Sequence, residues 1–152
     1  MRKGISNRYA HILAREIIRQ KGIQVSQPWS AEGLCADIAL TRGRRIDIIS
    51  IDVPGFPTGA VISDADCDVI GYRAGLTGFY RDHVILHELC HLLCGHGVPL
   101  RKDERLVDAV ANHSYTFAEE HLAEAFATTV LTEAHHRTVP TADRHVSALF
   151  GV

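Results

Sequence analysis

The chain has 152 residues, of which 46% are hydrophobic, 22% charged and 7% aromatic, and its formal net charge is −2. That apolar share excludes wholesale disorder, and the near balance of 16 basic against 18 acidic side chains excludes the basic excess of a protein that wraps nucleic acid. No stretch approaches the roughly 18 consecutive apolar residues of a membrane span, and Arg8, His11, Arg15 and Glu16 interrupt the N-terminal apolar residues too often for a secretory leader. The expectation is one domain over residues 1–152 in the cytoplasm, with no membrane and no direct nucleic-acid partner. Its cysteines, Cys35, Cys67, Cys90 and Cys94, would then stay reduced, and they lack the spacing of zinc knuckles.

The opening segment carries Ile5, Tyr9, Ile12, Leu13, Ile17 and Ile18 at helical spacing, which predicts an amphipathic helix over about 5–20 ended by Gly22. Ser30 is a candidate N-cap for a second helix with Leu34, Ile38 and Leu40 turned inward, and the Arg42-Gly43-Arg44-Arg45 turn closes it as a solvated run. Residues 46–53 (IDIISIDV), 59–63 and 68–73 read as three short strands, the first ended by Pro54-Gly55-Phe56-Pro57 and the last two joined by an acidic turn. Short links between successive strands predict a small three-stranded antiparallel sheet. Two apolar helices follow, over about 78–95 and 115–136, and Ala142, Val146, Leu149 and Phe150 predict a short closing helix. The predicted class is α+β, with N-terminal helices, the small sheet and a two-helix core bearing the active site.

Within the third helix stands His87-Glu88-Leu89-Cys90-His91, a match to HExxH. Residues i and i+4 share a helix face one turn apart, so both imidazoles can converge on one ion while Glu88 reaches a water beside it. Zinc is the default ion, since imidazole suits it and catalytic zinc takes three protein ligands and keeps a position open. Two places can supply the third ligand. His96 is one, although the extended HExxHxxGxxH pattern fails here because Cys94 and Gly97 stand where it needs Gly and His. The other is the next long helix, where Glu120-His121-Leu122-Ala123-Glu124 resembles the ExxA(D/E) element of the gluzincins. That resemblance implies Glu120 as ligand, with Glu119 as fallback, and Glu124 as acceptor of a hydrogen bond from a ligand histidine.

Most of the chain resembles the ImmA/IrrE metallopeptidases: the Arg42–Ile46 turn into a strand, a strand ending at Tyr72, Arg81 before the active helix, HELxHLLxGH over His87–His96, and ExxAxxFA over Glu120–Ala127. The chain departs from that pattern in two places, with Cys90 in place of Gly or Ala and Val130-Leu131-Thr132-Glu133 in place of Leu-Leu-Met-Pro. The resemblance implies one Zn²⁺ per chain and an endopeptidase that cleaves a helix-turn-helix repressor or an antitoxin. A non-proteolytic anti-repressor and a toxin component that retain the zinc fold are the alternatives. In the mechanism, the ion lowers the pKa of its water to about 7, Glu88 takes the proton and returns it to the leaving amine, and His113, Tyr115 or Tyr72 donates to the oxyanion. His83, one turn before His87, reads either as a support behind the ligand histidines or as a solvent-facing helix residue, and His96 as a cap at the helix C-terminus.

Overall fold

In a computed structural model, residues 2–25, 27–99 and 103–138 are described. Two helices come first, α1 (Arg2–Gln20) and α2 (Ala31–Arg42), then strands β1 (Arg45–Ile51), β2 (Gly59–Ser63) and β3 (Cys67–Arg73). Helix α3 (Gly78–Leu93), the two-residue strand β4 (Val98–Pro99), the short helix α4 (Leu106–Ala111) and the long helix α5 (Phe117–Thr138) complete the order. The expected closing helix lies outside the described residues.

Ser30 caps α2 as its residue type suggests, its Oγ accepting the Gly33 N–H at 2.9 Å. The inward face of that helix is Ala31, Leu34, Cys35 and Ile38, whereas Leu40 is 83% exposed. Two residues beyond Ile38 is about 200° around a helix, so Leu40 cannot share that face. Among the described side chains of α1 the buried ones are small, Ala10 and Ala14, while Tyr9 and Ile12 face outward. Small side chains let α1 lie close along α5, which also packs on α3. Pressed from two sides, α5 is apolar around much of its girth, with Ala123, Ala125, Phe126, Ala127, Val130, Leu131 and Ala134 buried.

The sheet differs from the predicted three-stranded antiparallel one. It has four strands in the order β1-β3-β2-β4, with β1 parallel to β3, β3 antiparallel to β2, and β2 parallel to β4. The reason lies in the two connections. Between β2 and β3 the Asp64 carboxylate accepts the N–H groups of Asp66 and Cys67, at 2.7 and 2.8 Å, which closes a tight hairpin. Residues 52–58 form a longer link, enough chain to step over one strand position, roughly 10 Å, so β3 inserts beside β1. Phe56, in that link, is buried beneath the sheet with Ile51, Ala60, Ile62 and Val110. Helices α1, α2, α3 and α5 cover the opposite face with the larger core.

The arginine turn is structural rather than merely solvated. Arg42 and Arg44 both donate to the buried Asp68 carboxylate, at 3.1 and 3.0 Å, and Arg44 also donates to the Cys67 carbonyl at 2.9 Å. Burial opposes the charge on Asp68, but its hydrogen bonds with Arg44, Ser63 and Arg42 prevail and hold the carboxyl below its ordinary range. These contacts pin the start of β1 to the β2–β3 hairpin. One glycine then sets how near the sheet comes to α3. A Cβ at Gly59 would stand 2.7 Å from Val84 Cγ1 and 3.0 Å from Glu88 Cγ, so only glycine lets β2 lie this close to the helix that carries Glu88.

Candidate metal centre

Helices α3 and α5 run antiparallel, and their facing side chains interleave. His83, His87 and His91 recur every turn on α3; Glu120 and Glu124 do the same on α5. His91 Nε2 lies 3.2 Å from His87 Nε2 and 2.9 Å from Glu120 Oε1, and His87 Nε2 lies 3.5 Å from Glu120 Oε1. Two imidazole nitrogens and a carboxylate oxygen therefore meet at one point, a group that could hold a metal ion. Donor spacing supports this. An ion with tetrahedral bonds of about 2.0–2.1 Å keeps its ligand atoms roughly 3.3 Å apart, close to the separations found here. Ala123, fully buried one turn from Glu120, brings no bulk between the two helices.

The backing of each imidazole differs. His87 Nδ1 donates to Glu124 Oε1 at 2.7 Å, and the other oxygen of Glu124 lies 3.0 Å from His83 Nε2. His83 is thus a partner of Glu124 and only partly exposed, not a solvent-facing residue. The sequence held a signal for it, since three histidines at four-residue intervals lie on one face with the HExxH pair. His96 and Glu119 sit behind His91, on the side of its ring away from His87 and Glu120, so neither joins the converging donors. Burial, with His87 and His96 adding to it, pushes the His91 pKa down to about 3. Its ring is neutral across the ordinary pH range, and no proton competes for its lone pair.

Glu88 is 5% exposed, and its Oε2 has no hydrogen-bond partner among the described residues. Burial first, then the neighbouring Glu120 charge, lifts its pKa to about 8. An unpartnered buried carboxylate is costly unless a cation stands near it. A divalent ion held by His87, His91 and Glu120 would be that cation, so the state of Glu88 itself agrees with the donor geometry.

Glu88, His87 and Glu120 open onto a cavity of about 660 Å³ that reaches the edge of β2. A cavity of about 760 Å³ between α1 and α5 touches none of these side chains. Tyr115 and His113 line the first cavity, and Tyr72 does not. Tyr115 stacks flat on His91, ring centroids 3.7 Å apart and planes 8° from parallel. Burial and then the surrounding carboxylates, Glu88 first, raise its phenol pKa, so the hydroxyl keeps its proton. His113 spends Nε2 on the His96 carbonyl at 3.1 Å. Tyr72 packs against the main core with the Arg81 guanidinium 4.8 Å above its ring, and Arg81 in turn pairs with Glu32. Cys90 is buried in the core beside His91, and all four cysteines are free thiols. Among the described residues no helix is long and apolar enough to cross a membrane. No protein-family model, curated protein or solved structure matches the chain.

Proposed function

We propose that this chain is a zinc-dependent endopeptidase of the ImmA/IrrE kind, in which His87, His91 and Glu120 hold one Zn²⁺ and Glu88 moves the proton. The observation that carries the reading is the meeting of three donor atoms, 2.9–3.5 Å from one another, beside a buried glutamate with one oxygen unpartnered among the described residues. When bound, the ion supplies Lewis acidity, which acidifies water and polarises a carbonyl. The chain's own residues supply the rest. Near a cation the pKa of Glu88 falls from its raised value, which leaves the carboxylate able to accept a proton from water and pass it to a departing amine. The Glu124 carboxylate fixes the tautomer of His87 by accepting a hydrogen bond from its Nδ1–H.

For the developing oxyanion, Tyr115 is favoured over His113. Its hydroxyl stays protonated, whereas the Nε2 of His113 is already engaged with a backbone carbonyl. Tyr72 has no part, because it lies outside the cavity. The resemblance to the family points to a helix-turn-helix repressor or antitoxin as substrate, in the cytoplasm. A protein that only sequestered such a partner would gain nothing from a buried, unpartnered Glu88.

The test is to incubate the zinc-loaded protein with unstructured casein and with helix-turn-helix proteins encoded in the same genome. Cleavage is expected with zinc, none after chelation, and recovery when zinc is restored. A stable complex with an intact partner, unaffected by chelator, would support sequestration instead.

A further inference from the structure

We infer that His96 and Glu119 are positioning residues that aim the His91 imidazole through a continuous run of hydrogen bonds. This rests on the metal reading of the site above. It begins with the way α3 ends. Gly95 adopts φ +75°, the Gly95 N–H bonds the Leu92 carbonyl at 3.1 Å, and the His96 N–H reaches back to the His91 carbonyl at 2.8 Å. That is the paired closure of a Schellman turn, and it folds the residue after the glycine back onto the residue five positions earlier. An apolar contact commonly fills that place. Here it is filled by two imidazoles.

His91 Nδ1 and His96 Nδ1 are 3.1 Å apart. Two imidazole nitrogens can share only one proton, so the partners fix each other's tautomers. With His91 Nε2 turned to the ion, its proton is on Nδ1 and is donated to His96. Nδ1 of His96 is then the acceptor, which puts its own proton on Nε2. That atom lies 2.9 Å from Glu119 Oε2. The other oxygen of Glu119 accepts the Thr116 N–H at 2.9 Å, and Thr116 Oγ1 accepts the Glu119 N–H at 3.1 Å. The run thus ends in a capping box at the start of α5, one residue before Glu120. Every proton along it has a donor and an acceptor. Tyr115 holds one face of the His91 ring. His113 donates to the His96 carbonyl and steadies the turn.

One relay therefore ties the C-terminal end of α3 to the N-terminal end of α5, and with them two of the three donors. Whereas Glu124 backs His87 directly, an additional imidazole stands between His91 and its carboxylate. The glycine-histidine pair after HExxH in this sequence makes that arrangement, and it gives His96 a place that is neither ligand nor simple cap.

Three proteins test the role: wild type, His96→Ala, and His96→Asn, whose side-chain carbonyl can stand where Nδ1 stood. Zinc affinity is read by chelator competition. A nitrogen–nitrogen coupling across the hydrogen bond between His91 and His96 is read by NMR on the zinc-loaded wild type. Expected are a visible coupling, a loss of about 10- to 100-fold in zinc affinity in His96→Ala, and recovery of most of it in His96→Asn. If His96→Ala does not fold, the wild-type coupling and the affinity of His96→Asn still decide. An absent coupling, unchanged affinity in His96→Ala, or no recovery with Asn would overturn the positioning role. Wild type that takes up no zinc would instead overturn the metal reading itself, which keeps the two failures apart.

Discussion

Glu88→Gln should lower the rate of peptide cleavage by about 10²–10⁴-fold while zinc content stays at that of the wild type. Glutamine is nearly isosteric and fits the same buried place between α3 and Gly59, so the donors at His87, His91 and Glu120 are undisturbed. What it cannot do is accept a proton. The substitution carries a second signature in the metal-free protein. Burial and the Glu120 charge raise the folded-state pKa of Glu88 to about 8 from an ordinary 4.5. A carboxyl shifted upward favours the folded state when protonated, so its contribution is complete below about 4.5 and is lost as pH rises through about 8. Glutamine stays neutral throughout. Metal-free Glu88→Gln should therefore unfold at a higher temperature than metal-free wild type at pH 9, and the gap should close toward pH 4. Undiminished cleavage by the variant would remove Glu88 from the chemistry.

Glu120→Ala should weaken zinc binding by more than the roughly 10- to 100-fold typical of a lost supporting partner, and activity should fall with occupancy. Glu120 is the one anion among the three donors, and its oxygen lies 2.9 Å from His91 and 3.5 Å from His87. Alanine leaves two imidazoles, and the neighbouring carboxylates of α5 are engaged elsewhere. Glu119 is committed to His96 and Thr116, and Glu124 is committed to His87 and His83. Elemental analysis and chelator competition measure the effect. An unchanged one-to-one zinc content at low free metal would mean that the third ligand is elsewhere.

The sequence made the two site helices legible because their signals are local. Four-residue spacing places His87 and His91 together, and the buried neighbours of Glu120 mark α5 as interior. Two further readings depended on tertiary packing that the sequence does not show. His83 looks solvent-facing until antiparallel α5 brings Glu124 within 3.0 Å. His96 looks like a simple cap until the turn at Gly95 folds it onto His91. The sheet order failed for a related reason, since strand-like residues do not tell whether a link turns back at once or steps over a neighbour. Residues 52–58 do the latter, and β3 takes the place beside β1. Strand β4 and helix α4, of 2 and 6 residues, are too short for periodicity to register. The arginine turn was misread because its partner, Asp68, is 24 residues away from Arg44 along the chain.

Anomalous scattering at the zinc edge from crystals of the zinc-loaded protein tests the central claim most directly. One peak is expected, about 2.0–2.2 Å from His87 Nε2, His91 Nε2 and a Glu120 carboxylate oxygen, with Glu88 close by but not bound. A peak held instead by His96 and Glu119, or no peak between α3 and α5 at saturating zinc, would contradict it.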